Sequence, residues 1–244
     1  MRLGPFFTSL GWGEKAMVSV ATLALSVAGC SKTSTEEARA NSQGDPPALE
    51  YAPPEPGSYA LPPIQPASDG AVIDESGQRR RLFDYLGDRY VLLSFIYTRC
   101  AVVKGCPLAT SVFQRLRNRL DEEPTMGGSV RLVTLSFDPE RDTPATMQLY
   151  ARHAGVKSHG KAETWTFLTT LSLGDLEPIL DSYGQYVTRE IDAGGRFTGN
   201  RSHVLKVFLI DRERRVRQIY SSDSLHPSLV INDVKTLMME TATK

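Results

Sequence analysis

The apolar run Val91 to Tyr97 (VLLSFIY) stops just short of Cys100, and a second thiol follows at Cys106, directly before Pro107. A run of this length, apolar but for Ser94, reads as a strand buried on both faces. Beyond Pro107, the apolar residues Leu108, Val112, Leu116 and Leu120 recur every four positions, which makes one face of a helix. Proline suits a first helical turn, because its φ is preset and its missing N–H is not needed there. Two thiols therefore stand at a strand-to-helix corner. Free N–H groups and the positive end of the helix dipole at that corner favour thiolate over thiol. Thiolates bind soft metals and attack disulfides, so the pair points to one of those two chemistries.

The third cysteine belongs to a different pattern. Residues 16–29 (AMVSVATLALSVAG) are apolar, preceded by Arg2 and Lys15, and close on Val27-Ala28-Gly29-Cys30. The run is short for a bilayer span and suits a signal-peptide core. Small residues directly before a cysteine resemble a bacterial lipobox, in which cleavage precedes the cysteine and the thiol carries lipid. An uncleaved anchor, or an ordinary signal peptide with Cys30 incidental, are the alternatives. The stretch that follows is polar and then proline-rich, with Pro46, Pro47, Pro53, Pro54 and Pro56, a composition that forms an extended tether rather than a core. The expected organisation is a lipoprotein-type signal peptide over 1–29, a tether over 30–57 and one folded domain over 58–244. The domain is then exported and lipid-anchored to a bacterial membrane, in the periplasm or another extracytoplasmic space. Basic and acidic residues balance at 28 each, and no basic stripe appears, which argues against nucleic acid as a partner.

Within the domain, Ala71 to Leu82 predicts a hairpin around Glu75-Ser76-Gly77. Val130 to Phe137 predicts a second central strand. Thr143 then caps a helix opening at Pro144 and running to Gly155. Trp165 to Leu168 is a short strand, and Ser172 to Tyr183 a helix. His203 to Ile210 and Val216 to Tyr220 are strands around an Asp211–Arg214 turn, and Pro227 to Met239 is the last helix. Crossovers through helices make the first strands parallel, and the tight turn makes the last two antiparallel. The fold class is α/β, a thioredoxin-like plan: a central mixed sheet flanked by helices, with an N-terminal hairpin. A glycine-rich insertion, Asp192 to Asn200, precedes the late strands and is expected to be a mobile loop over the site.

A soft metal held by two thiolates takes an imidazole as a suitable third ligand. Of the four histidines, His153 falls near a helix C-terminus, where a cation is favourable without metal. His159 lies in a polar turn and His226 precedes Pro227. His203 follows the flexible stretch and is either a ligand or an incidental histidine at a strand end. Asp138 follows the second strand and either orients a ligand or holds the loop, or caps a turn with Pro139. Arg141 and Asp142 read as loop-fixing residues. Phe95 and Tyr97 read as core, and Arg99 and Lys104 as solvated charges beside the thiols.

Taken in order, FIYTRC, the Cys106-Pro107 pair, Ser136–Pro144 (SFDPERDTP), Trp165–Thr169 (WTFLT) and a histidine entering a strand that ends Leu209-Ile210-Asp211 resemble the Sco/SenC family. The resemblance covers about Leu61 to Met239. It implies a thioredoxin-like fold and copper bound by Cys100, Cys106 and His203, as Cu(I), with Cu(II) left open. It also implies membrane tethering and a role in maturing the copper site of cytochrome c oxidase. The partners would be a copper-dependent oxidase subunit, the membrane through its lipid anchor, and a thiol reductant of thioredoxin type that keeps the pair reduced. The chain departs from the family in its spacing, Cys-x5-Cys-Pro in place of Cys-x3-Cys-Pro, a longer-loop variant in which Gly105 supplies backbone freedom. A thiol–disulfide oxidoreductase, or a redox or copper sensor using the same pair, are the alternatives. Thioredoxin-type catalysis, however, uses Cys-x-x-Cys.

Overall fold

The computed structural model of this chain describes residues 46, 48–156 and 164–242. The signal-type segment 1–29, Cys30, the first part of the tether and His159 lie outside the described residues. Two strands form the centre, β4 (Tyr90–Ile96) and β5 (Val130–Ser136), each buried along its whole length. They pair in parallel, and β5 pairs in parallel with β6 (Trp165–Thr169). The crossovers are α1 (Cys106–Glu122), the short turn α2 (Pro124–Gly127) and α3 (Pro144–His153). In α1 the four-residue spacing puts Leu108, Val112, Leu116 and Leu120 on the buried face. Thr143 caps α3, its hydroxyl accepting from the Thr146 N–H. Ser172 does the same for α4 (Leu173–Ser182).

Antiparallel strands extend both sides of this centre. On one flank lie β2 (Ala71–Asp74) and β3 (Arg79–Arg81), the expected hairpin, with β2 against β6. On the other flank β9 (Val207–Ile210) runs antiparallel to β4. Beyond it lie β10 (Arg215–Tyr220) and the short β1 (Gln65–Pro66). The full order is β1-β10-β9-β4-β5-β6-β2-β3, a mixed sheet flanked by helices on a thioredoxin-like plan. The last helix is α5 (Pro227–Ala242). Its Asp233 accepts hydroxyl hydrogen bonds from Tyr59 (2.5 Å) and Tyr220 (2.6 Å). Pro54 and Gly57, inside the proline-rich stretch, also hydrogen-bond to α5 through Asn232 and Thr236. No helix of the described residues is long and apolar enough to cross a membrane.

Two expectations are corrected. The glycine-rich stretch is not a loop over the site. It is the tip and second arm of a two-stranded ribbon, β7 (Val187–Ile191) and β8 (Phe197–His203), which forms a sheet of its own. Asp192 Oδ1 accepts from the N–H groups of Gly194 and Arg196, and Gly195 takes φ +78°, so these residues close a tight turn. His203 pairs with Val187 at the base of the ribbon, whereas the glycine tip lies at its other end. His203 therefore ends β8 instead of starting the late strand, which begins at Val207.

The β9–β10 turn is held by Asp211. Its carboxylate accepts from the backbone N–H groups of Glu213 and Arg215, from Arg215 Nε and from Arg217 Nη1, each at 2.9 Å. Burial opposes the charge, but these donors outweigh it and hold the carboxyl below its usual range. A carboxyl lowered in the folded state stabilises above the unfolded pKa and loses that contribution as pH falls through the folded one. Asp211→Asn should therefore lower the urea midpoint at neutral pH. Its deficit against the native chain should shrink as both are titrated below about pH 4. Circular dichroism in urea measures both, and a deficit independent of pH would refute this role.

Candidate metal centre

The site forms where the carboxyl ends of β4 and β5 meet the amino end of β9. Ile96 and Ser136 are partners at the ends of the two parallel strands, and the Phe137 N–H donates to the Ile96 carbonyl. From β4 the chain turns through Tyr97–Cys100, with the Cys100 N–H on the Tyr97 carbonyl at 3.2 Å. Because β9 is antiparallel to β4, its first residue, Val207, pairs with Ser94 near the end of β4. The β8–β9 connection, and with it His203, is thereby delivered to the same end of the sheet.

Cys100, Cys106 and His203 converge there, with their sulfur and nitrogen atoms all within 4.8 Å of one another. Cys106 is buried, at 1% exposure in the first turn of α1, and Cys100 is half-buried in the loop. Both are free thiols. Cys106 Sγ lies 3.4 Å from His203 Nε2. His203 Nδ1 lies 3.1 Å from the Arg201 carbonyl, which can only accept. The neutral ring therefore carries its proton on Nδ1 and turns its Nε2 lone pair toward the sulfurs. Tyr97 and Phe137 pack against the imidazole, with ring centroids 5.7 and 4.9 Å away.

Electrostatics separate the two thiols. A hydrogen bond from Cys106, joined by His203 and the backbone N–H groups of Cys106 and Val102, overcomes burial and lowers Cys100 to about 4. Burial, reinforced by the charge on Cys100, pushes Cys106 well up. The negative charge thus rests on the more exposed sulfur. At His203, burial works against a charged ring, but the Cys100 thiolate and the Arg201 carbonyl outweigh it and raise the imidazole. Arg99 and Lys104 are exposed.

The long loop closes because of Gly105. Its φ is negative, at −103°, and space around it is tight. A Cβ there would stand 3.1 Å from the Val102 carbonyl and 3.4 Å from Cys100 Sγ. Behind Cys106, Thr110 Oγ1 donates to the Cys106 carbonyl at 2.9 Å and meets Tyr150 Oη at 2.6 Å.

Among the described residues Asp138 makes no hydrogen bond to either cysteine or to His203; its carboxylate pairs with Arg201 and Arg141. Its backbone carbonyl also accepts from the N–H groups of Arg141 and Asp142, closing the turn that contains Pro139. Asp142 also fixes the loops, accepting from the Thr98 N–H (3.0 Å), the Thr98 hydroxyl and the Ser136 hydroxyl (each 2.5 Å). Burial still raises its pKa. His153 ends α3, and His226 Nδ1 accepts from the Ser228 N–H at the start of α5. Sequence reasoning missed Arg201. No local signal points to it, because its ion pair with Asp138 joins residues 63 positions apart.

Comparison with known proteins agrees with this geometry. A family model described as SCO1/SenC matches residues 68–239. The SCO1 protein homolog of Bacillus subtilis (strain 168) is 24% identical over 146 residues, 59% of this chain and 69% of that protein. The crystal structure of a SCO1/SenC family lipoprotein from Bacillus anthracis str. Ames superposes with a TM-score of 0.59 at 22% identity, covering 74% of this chain and 99% of that one. Arabidopsis thaliana ScoI with copper bound superposes with a TM-score of 0.57 at 20% identity, covering 71% and 98%. At these identities the two structures speak for the fold, whereas the family model spans most of the chain: this protein belongs to the SCO1/SenC family.

Proposed function

We propose that this protein is a membrane-tethered metallochaperone, which binds copper through Cys100, Cys106 and His203 and delivers it during assembly of cytochrome c oxidase. The observation that carries this reading is the convergence of two sulfurs and one imidazole nitrogen within 4.8 Å, from segments far apart in the chain. Two thiolates and an imidazole suit the soft Cu(I) ion, and the imidazole also suits Cu(II). The copper-bound relative from Arabidopsis supports copper as the cargo.

Each residue has a distinct part. Cys106, anchored in the first turn of α1, is the fixed ligand. His203 presents Nε2 because its other nitrogen is engaged by the Arg201 carbonyl. Cys100 is the more exposed thiol and stands in the loop, so exchange with an incoming partner ligand begins on its side. Cys30 would carry the lipid, with 30–57 as tether and 58–244 as the copper-binding domain, placed outside the cytoplasm. The description of the Bacillus anthracis relative as a lipoprotein supports this arrangement. The partners are then an oxidase subunit that accepts copper and a thioredoxin-type reductant that maintains the thiols. A second reading, thiol–disulfide exchange or redox sensing, is favoured by the ionised Cys100 beside a second free thiol.

His203 separates the two readings. Disulfide exchange needs thiolate and access, not an imidazole from another strand. His203→Ala should weaken Cu(I) binding by more than the roughly 10–100-fold cost typical of losing a ligand's supporting partner. It should leave exchange by the cysteine pair in place and lower oxidase assembly most when copper is scarce. Cys100→Ser/Cys106→Ser should lose both properties. Unchanged affinity and assembly in His203→Ala, with failure of the cysteine variant, would make thiol exchange the leading reading.

Oxidation offers a second check. In an oxidising compartment two thiols this close can form a disulfide, and the oxidised protein should take up no Cu(I) until reduced. Mass spectrometry establishes the bond and chelator competition the uptake; equal uptake by both forms would exclude these sulfurs as ligands. Cys30→Ala should block precursor processing and lipid labelling. A native chain found in the membrane at full precursor mass without lipid would contradict the anchor.

A further inference from the structure

We propose that Arg201 is a positioning residue that aims the His203 imidazole at the two thiols, by latching the β7–β8 ribbon onto the loop that follows β5. The inference rests on the metal-centre reading of Cys100, Cys106 and His203. The ribbon forms its own sheet and shares no ladder with the central one, so side chains must fix its position. Arg201 is the principal link. Its side chain is only 4% exposed, and Nη2 donates to Asp138 Oδ1 at 2.5 Å and to Glu140 Oε2 at 3.1 Å. Asp138 is itself 1% exposed and also accepts from Arg141 Nη1 at 3.3 Å. The same Arg141 nitrogen reaches the Gly199 carbonyl of β8, also at 3.3 Å. From β7, Arg189 donates to both oxygens of Glu140, at 2.9 and 3.0 Å. The guanidinium carbons of Arg141, Arg189 and Arg201 surround the Phe197 ring of β8 at 5.0, 5.3 and 5.6 Å from its centroid. Three arginines, two of them from the ribbon, thus surround one aromatic ring, and two carboxylates from the loop hold their guanidinium groups.

The latch bears on the metal centre through the backbone of the same residue. The Arg201 carbonyl accepts the Nδ1 proton of His203, and the Arg201 N–H lies 3.5 Å from Tyr97 Oη. Fixing the guanidinium on Asp138 fixes the direction of that carbonyl, and the carbonyl selects the tautomer with Nε2 free. Stability alone does not call for a buried arginine here. Apolar residues of similar volume often replace both members of a buried ion pair at no cost, whereas removing Arg201 alone leaves Asp138 buried with only Arg141; Arg201 Nε is itself without a partner. An apolar residue cannot, however, seek out one carboxylate and so hold the ribbon in one orientation.

The test uses the full chain with reduced thiols and two readouts: Cu(I) affinity by competition with a chromogenic chelator, and the protonation pattern of the His203 ring nitrogens by NMR without copper. Arg201→Met should lower affinity by about 10–100-fold and abolish the fixed Nδ1–H tautomer. Arg201→Lys should recover part of both, since an ammonium reaches a carboxylate but lacks the planar fork. Leu237→Ala, a core truncation in α5, should lose stability while leaving both readouts unchanged. A folded Arg201→Met chain with native affinity and a native ring pattern would overturn the proposal. Should that variant not fold, Asp138→Asn decides by the same two readouts, native values overturning it. If the native chain binds no copper, the metal reading fails, and the ring pattern still reports whether Arg201 sets the imidazole.

Discussion

The antiparallel pairing of β9 with β4 is the constraint on which the chemistry of this protein depends. Two parallel strands, β4 and β5, end together and put the Cys100 turn beside the Asp138 loop. Had β9 run parallel to them, it would have started at the opposite end of the sheet. Because β9 runs the other way, it starts where β4 ends, with Val207 opposite Ser94. The segment just before it must then pass over the cysteine corner. His203 reaches the thiols because of strand direction, not because it is near them in sequence.

Delivery to the right end of the sheet does not by itself aim an imidazole. The aim comes from packing and charge: Tyr97 and Phe137 against the ring, the Arg201 carbonyl on Nδ1, and the buried contact of Arg201 with Asp138. Asp142 ties the Cys100 side of the site to the end of β5 through Thr98 and Ser136. The two aspartates of the SFDPERD stretch thus divide the work, Asp142 holding the cysteine loop and Asp138 the ribbon. Desolvating these carboxylates is costly, and the cost is offset only when every donor is in place. The site is therefore built from elements that constrain one another, which favours one arrangement of donors over many.

The division of charge between the thiols follows from the same geometry. At the sequence level both cysteines benefit from a strand-to-helix corner. Burial of Cys106 under the loop reverses this for one of them and leaves the charge on the more exposed Cys100. A buried thiol thus stands beside a more accessible thiolate, the form that reacts and binds soft metals.

Much of this was legible in the chain. The apolar runs of β4 and β5, the four-residue spacing of α1, the Thr143 cap and the Asp211 turn are local signals, and local signals report strands, helices and turns. The cysteine pair also declares thiolate chemistry, either soft-metal binding or disulfide exchange, because thiols at a helix start need no distant partner to favour thiolate. The ribbon was not legible, because glycines in Asp192–Asn200 interrupt the alternation that marks a strand. Nor was the pairing of Arg201 with Asp138, since an ion pair between residues 63 positions apart has no local signature. The sequence by itself determined which residue types could bind a metal and on which elements they stand. Only the tertiary structure decided how His203 reaches the thiols, which thiol carries the charge and which arginine aims the ring, because those depend on strand direction and burial, and neither is a property of any short stretch of chain.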